Sequence, residues 1–310
     1  MTADVLGADF ETRTLATGEA TATLVRHRAR EATRGAILYV HGWADYFFQR
    51  HVAEHYAALG FDFYAVDLRA YGRSWRQGQT PNFVTDLADH LADVDGAVRA
   101  VREDDGHSEL VLMGHSTGGL IAALWAHERR ADGLVDALVL NSPWFDLAEP
   151  WIMQTVGTAV VRGLGRVSPK LVVKPGLGPV YGQSIHRDHH GEWDFDLTWK
   201  PLEAFPVYAG WLRAIRIGHS RLQGGLDVRV PSLVLRSSAS HLHAKAWTEQ
   251  AMVADAVLDV AHIERFAPKL GGEVTSLVVQ DGLHDLFLSR EDVRKRAFEV
   301  VDEFLDGRVR

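Results

Sequence analysis

The 310-residue chain contains no cysteine. Disulfides and thiolate metal ligands are therefore excluded, and the fold makes no demand for an oxidising compartment. Nor does any apolar stretch run long enough to span a bilayer. The opening residues, MTADVLGADFETRTLATGEA, have neither the basic start nor the apolar core of a secretory leader. The expectation is a cytoplasmic protein without an integral membrane segment. Positive charge is in short supply: 33 Lys and Arg face 41 Asp and Glu, for a formal charge of −8. No basic run could track a phosphate backbone, so nucleic acid is not an expected partner. Internal repeats and low-complexity tracts are missing as well. What is there, 46% hydrophobic and 24% charged residues, suits one large globular domain with room for an inserted lobe.

From Gly35 onward, short apolar runs alternate with helical patterns, as repeated strand-helix-strand units require. GAILYVHG, FDFYAVDLR, ELVLMGHS, DALVLNSP, PSLVLRSS and EVTSLVVQ are short and rich in β-branched residues, and they predict parallel core strands. Between the second and third, Phe83, Leu87, Leu91, Val94, Val98 and Val101 recur every three or four residues and predict one helix face packed on the sheet. A last helix is predicted to open at Ser289, with Asp292 at the capping-box spacing and Val293, Val301 and Phe304 turned inward. Upstream, FETRTLAT and ATATLVRHRA predict an antiparallel edge hairpin around Gly18 and Glu19. The rhythm breaks over residues 144–228, which hold Trp144, Trp151, Trp193, Trp199 and Trp211 and the Gly/Pro-punctuated GLGRVSPKLVVKPGLGPVYG. This stretch reads as an insertion after the fourth core strand, folded as a lid over the strand ends. The plainer alternative is an irregular surface excursion with buried tryptophans.

The apolar run LVLMGHSTGGL stops at Gly-His-Ser-Thr-Gly and then resumes. A serine at the tip of a tight strand-to-helix turn is strained, and its neighbours two before and two after approach too closely for side chains. Gly114 and Gly118 answer that need, which makes Ser116 the candidate nucleophile. A hydroxyl attacks poorly unless a base takes its proton. Among the histidines, His284 is the one on a loop after the final core strand, at the sheet edge where Ser116 is expected. His115, beside Ser116, then points elsewhere, into the core or against the site. An oxyanion needs backbone donors. Thr117 supplies one N–H, and the loop YVHGWADY after the first core strand supplies the other from Trp43, with Gly42 letting the chain turn sharply.

These residues carry a resemblance. HGWADYFFQR after the first core strand, AVDLRAYGRS after the second, GHSTGG at the nucleophile and the late GLHD together resemble the α/β-hydrolases. Within them, they resemble the monoglyceride lipase and lysophospholipase group, also described as serine-aminopeptidase-like hydrolases. The resemblance covers nearly the whole chain and is weakest over residues 144–228, where such families place a variable cap. It implies a mostly parallel eight-stranded sheet flanked by helices, a core from residues 1–143 and 229–310, and a cap from 144–228. It also implies that Asp67 and Arg69 of the DLR-x-x-GRS turn are structural.

The third member of the expected constellation departs from the pattern. The family places an Asp almost directly after the penultimate strand. Here PSLVLRSS runs on through ASHLHAKAWTEQAMVA before DAVLDVAHIERFAPKLGGEV, which resembles the segment that normally begins at that Asp. Asp255 then takes the role of holding the His284 tautomer, with Asp259 and Asp146 as alternatives. Asp285, next to the base, is expected to point the opposite way. The crowded His186, Asp188, His189 and His190 have no defined ligand geometry and read as a solvated loop, so no metal is expected. The resulting expectation is a serine hydrolase of carboxylic esters that works without a cofactor on a small ester with an apolar acyl group. An aminopeptidase using the same residues and a ligand-binding protein on a hydrolase fold remain as alternatives. The oligomeric state does not follow from the sequence.

Overall fold

The computed structural model describes residues 2–30, 33–148 and 158–309. Its strands are β1 Thr2–Asp4, β2 Gly7–Thr17, β3 Ala20–His27, β4 Gly35–Val40, β5 Phe61–Asp67, β6 Leu110–His115, β7 Ala137–Asn141, β8 Val172–Lys174, β9 Val207–Tyr208, β10 Ser232–Ser237 and β11 Val274–Val279. The helices are α1 Arg50–Ala58, α2 Ala88–Arg99, α3 Thr117–Glu128, α4 Thr158–Val167, α5 Val180–Ile185, α6 Ala209–Gln223, α7 Val260–Phe266 and α8 Glu291–Leu305. Nine strands form one sheet in the order β1-β2-β3-β5-β4-β6-β7-β10-β11. The six predicted core strands, β5-β4-β6-β7-β10-β11, pair in parallel throughout. The β2–β3 hairpin joins them antiparallel at β5. The eight strands expected are thus present, and the three-residue β1 folds back on β2 to add a ninth at the edge.

The continuous apolar runs follow from burial on both faces of the sheet. Along β4, Ala36, Leu38 and Val40 join the core on the α2, α3 and α6 side, while Ile37 and Tyr39 join the core on the α1 and α8 side. β6 divides the same way, with Leu110 and Leu112 on one face and Val111 and Met113 on the other. Each such side chain, fully removed from water, contributes roughly 1.5–3 kcal/mol. α3 is buried on almost every face because it lies directly behind the strand that delivers Ser116. β11 forms the other edge, and Leu277 and Val278 are exposed there.

Two helix predictions need correction. The stripe from Phe83 to Val101 is not all helical: α2 starts at Ala88, after Asn82 has taken a left-handed turn at φ 57°, and ends in a π-helical turn over Ala100–Asp104. Leu91, Val94, Val98 and Val101 are buried as predicted, and Leu87 reaches the same core from the turn before the helix. α8 opens at Glu291 with no side-chain cap, so the Ser289 box does not form. The Ser289 hydroxyl instead accepts the Leu283 N–H at 2.9 Å, within the loop that carries His284. The inward set Val293, Val301 and Phe304 is buried.

Between β7 and β10, the described part of residues 144–228 carries α4, the small β8–β9 pair, α5 and α6. Its tryptophans divide into two groups. Trp193 and Trp199 pack with Tyr46, Phe48, Phe195 and Leu288 in a third apolar cluster, and Trp193 Nε1 donates to the Leu288 carbonyl at 2.8 Å. Trp144 and Trp211 instead face a cavity above the strand ends. Trp151 lies outside the described residues. No helix among the described residues is long and apolar enough to cross a membrane.

Candidate active site

β6 ends at the tip of a turn where Ser116 adopts φ 53°, ψ −119°. A non-glycine residue there costs on the order of 1–3 kcal/mol, so the surroundings must enforce it. Backbone hydrogen bonds do so. Ser116 N–H donates to the Asn141 carbonyl at 3.1 Å, and the Ser116 carbonyl accepts from Gly119 at 3.0 Å and from Trp144 at 2.9 Å. The flanking glycines are sterically required. A Cβ on Gly114 would stand 2.6 Å from the Gly118 carbonyl oxygen, and one on Gly118 would collide with the Val40 and His41 carbonyls.

His284 and Asp255 converge on this serine. His284 Nε2 lies 2.9 Å from Ser116 Oγ, and Nδ1 lies 2.9 Å from Asp255 Oδ2. All three are buried. The second carboxylate oxygen of Asp255 accepts the N–H groups of Val257 and Leu258, each at 2.8 Å. A carboxylate with that many donors is acceptor only, so Nδ1 carries the ring proton and Nε2 is left to accept from the serine hydroxyl.

The other acidic candidates are engaged elsewhere. Asp259 caps α7 by accepting the Ala261 N–H. Asp146 is bonded to Arg216 at 2.6 Å. Asp285 does point away from His284: it takes Asn141 Nδ2 at 2.7 Å, Gln49 Nε2 at 3.0 Å and the Phe287 N–H at 3.1 Å. Burial opposes its charge, but neighbouring His115 and these donors prevail and hold it below the usual carboxylate range. This one side chain ties the loop after β4 and the end of β7 to the loop carrying His284. His115 is pushed down to about 4, chiefly by burial, and so is a neutral ring whose Nδ1 lies 3.1 Å from the Asn141 carbonyl.

The turn after β4 is built differently from the prediction. Gly42 does not have positive φ; the left-handed residue is Ala44, at φ 50°. Glycine at 42 instead spares a crowded contact: a Cβ there would stand 3.1 Å from Ser116 Cβ and 3.3 Å from His115 Cδ2, pressing on the nucleophile's side chain. His41, missed in the sequence, orients this turn. Its Nε2 accepts the Leu68 N–H at 3.1 Å, which leaves Nδ1 protonated to donate to the Gly42 carbonyl at 2.7 Å. In a trans peptide the next N–H points opposite to that carbonyl, so the imidazole fixes the direction of the Trp43 N–H. Among the described residues, neither the Trp43 nor the Thr117 N–H has a backbone or side-chain acceptor, and both residues border the cavity.

That cavity holds about 610 Å³. Trp43, Trp211 and Trp144 form one wall, with ring centroids 4.8 and 5.8 Å apart. Another wall carries a buried ion pair, Lys200 Nζ to Asp45 Oδ1 at 2.8 Å, next to Tyr181, whose ring stands edge-on to His284 at 5.4 Å. Sequence reasoning missed Lys200, Asp45, Tyr181 and Arg216. Asp45 could have been noticed for its place in HGWAD, but nothing local marks the other three.

Asp67 and Arg69 sit in structural networks. Asp67 accepts the Phe47 and Arg73 N–H groups, and Arg69 pairs with Asp89 and Asp93. Of the histidine cluster, His186 is buried and His190 is stacked on Trp247. Among the described residues, no group of three His, Asp or Glu side chains is placed to hold a metal ion.

A doubly wound parallel sheet with a hydroxyl, an imidazole and a carboxylate meeting at its strand ends defines an α/β-hydrolase. More narrowly, the chain belongs to the family described as serine aminopeptidase, S33, whose model matches residues 31–291. It is 30% identical over 142 residues to a monoacylglycerol lipase of Mycolicibacterium smegmatis, an alignment that covers 46% of this chain and 48% of that relative. The fold resembles a soluble variant of monoglyceride lipase from Saccharomyces cerevisiae in complex with a substrate analog, with TM-score 0.73 and 17% identity over 99% of this chain and 98% of that one. It also resembles a monoacylglycerol lipase from Paleococcus ferrophilus, with TM-score 0.67 and 19% identity over 92% and 99% of the two chains.

Proposed function

We propose that the protein is a carboxylic ester hydrolase that works through an acyl-enzyme on Ser116. The observation that carries this reading is the unbroken line from Ser116 Oγ through His284 to Asp255, at 2.9 Å on each side of the ring. Ser116 Oγ attacks the ester carbonyl as its proton passes to His284 Nε2. The tetrahedral oxyanion is held by the N–H groups of Trp43 and Thr117, and the imidazolium is stabilised by Asp255. The C–O bond to the alcohol then breaks, and the departing alkoxide takes the proton from Nε2. Water enters, gives its proton to the same nitrogen and attacks the acyl group, which leaves as the acid. Ser116 recovers its proton, and no cofactor takes part.

Residues 144–228 act in this reading as the cap of the core formed by 1–143 and 229–310. The tryptophan wall suits an apolar acyl chain of small or medium length, and the polar pair at Lys200 suits a hydroxylated alcohol. The substrate class is monoacylglycerol-like or lysolipid-like esters. Cleavage of peptides from a free amino terminus is disfavoured by the same pair. Among the described residues bordering the cavity, Asp45 is the sole acid, and Lys200 already neutralises it. Among the described residues, a substrate α-ammonium would have no free carboxylate there to meet. A purely ligand-binding role would leave the strained backbone of Ser116 without a purpose.

The test combines a fluorophosphonate probe, whose adduct should map to Ser116, with p-nitrophenyl esters of increasing chain length, which should be turned over. Labelling at another residue, or turnover confined to amides, overturns the reading.

A further inference from the structure

The connection from β10 to Asp255 takes a detour through residues 238–254, and both ends of the detour are anchored. At its root, the Asp255 N–H donates to the Ala239 carbonyl at 2.9 Å and the His241 N–H to the Asp255 carbonyl at 2.7 Å. Ser240 Oγ donates to the Leu258 carbonyl and accepts the Val260 N–H, each at 2.9 Å. At its far end, Trp247 Nε1 donates to Ser184 Oγ of α5 at 3.1 Å, and the indole stacks on His190 with centroids 3.4 Å apart. Held at root and tip, the middle of the detour borders the cavity with Leu242, His243 and Ala244. His243 sits there at φ 59°, a left-handed conformation that a slack loop would relax.

This strap lines the cavity beside the segment that carries Asp255. It adjoins the chain from Asp255 to Leu258, which holds His284. The leaving alcohol must lie within hydrogen-bond reach of His284 Nε2, because that atom returns its proton. The oxyanion donors and the tryptophan wall belong to other elements: the loops after β4, β6 and β7, and α6. The alcohol therefore departs along the strap, and the acyl chain lies along the tryptophans.

Resting on the hydrolase reading above, we propose that Leu242 is a specificity-determining residue for the alcohol half of the ester, and that Trp247 is a positioning residue that holds it in place. The strap admits slender alcohols and excludes bulky ones, while leaving the acyl half unread.

Two ester series test this. One varies the alcohol of a butyrate ester from ethyl to benzyl to naphthylmethyl; the other varies the acyl group of a p-nitrophenyl ester from acetyl to octanoyl. Leu242→Ala should raise the naphthylmethyl-to-ethyl ratio of kcat/KM about tenfold, and Leu242→Trp should lower it by a similar factor. Trp247→Ala should move the ratio toward the Leu242→Ala value, with Trp247→Phe in between. The acyl series should keep its ratios within about twofold, and the steady phase after the p-nitrophenol burst should be unchanged because the alcohol has already left. The proposal is overturned if the two Leu242 substitutions move the alcohol ratio in the same direction or leave it in place, or if the acyl ratios move instead. Failure of the hydrolase reading would look different: the unaltered protein would give neither a burst nor a label on Ser116.

Discussion

The rim of the parallel sheet and the segment above it are held together in different ways. At the rim, buried polar side chains are satisfied largely by backbone N–H groups and by close neighbours on the core loops. Asp255 receives Val257 and Leu258, Asp67 receives Phe47 and Arg73, and His41 is fixed between Leu68 and Gly42. Above it, residues of 144–228 bury α6 against the core and add polar side-chain contacts that cross to the core loops: Lys200 to Asp45 and Trp193 to the Leu288 carbonyl. Backbone-organised polar groups are preorganised by the fold, whereas a long-range ion pair depends on both partners and fails abruptly when one is removed.

The sharpest way to break this contrast is at the acid. Asp255→Asn should lower kcat for a p-nitrophenyl ester by on the order of 10⁴-fold, because an amide no longer fixes the imidazole tautomer, with the far-UV spectrum unchanged. If Asp259→Asn or Asp146→Asn has the larger effect, the rim is not organised around Asp255. Next is the cap contact. Lys200→Met leaves Asp45 buried and unpaired and should cost about 3–5 kcal/mol in urea unfolding, while the Lys200→Met, Asp45→Leu double variant should regain most of it. A cost below about 1 kcal/mol for the single variant would place this pair among weak surface contacts.

A subtler effect concerns protons. Folding holds His115 neutral down to about pH 4, whereas an exposed histidine takes up its proton near 6.5. Unfolding therefore binds a proton throughout that window. His115 leaves stability untouched above about pH 6.5 and erodes it progressively between 6.5 and 4. Thermal midpoints measured across that range should fall with acidity, and His115→Asn should flatten the slope. The smallest effect is expected at Asp259, where replacing the α7 cap with Ala should cost about 1 kcal/mol and leave ester turnover within twofold.

How much could be read from the sequence follows the same division. Five of the six core strands were legible because burial on both faces leaves continuous apolar runs; β11, at the edge with Leu277 and Val278 exposed, was legible from its β-branched composition instead. Ser116 was legible because the chain must place glycine at both 114 and 118 to clear the turn. His284 could be located by its place after the last core strand, whereas Asp255 was reached only through the family resemblance of the segment it begins, with Asp259 and Asp146 as alternatives. By contrast, Lys200 meets Asp45 across a separation that no local pattern encodes. The Ser289 spacing misled because its hydroxyl has a nearer donor in Leu283, so the motif was present without its capping geometry. Gly42 was singled out for the wrong reason: the sequence suggested a turn requirement, and the structure shows instead that a side chain there would crowd Ser116.

The Asp285 carboxylate has a mechanical consequence. Because a single anion gathers Gln49, Asn141 and the Phe287 amide, the loops that follow three separate strands cannot drift independently. Warming should not loosen the site around Ser116 piecemeal; its geometry persists until the knot opens, and then every part of it is lost together.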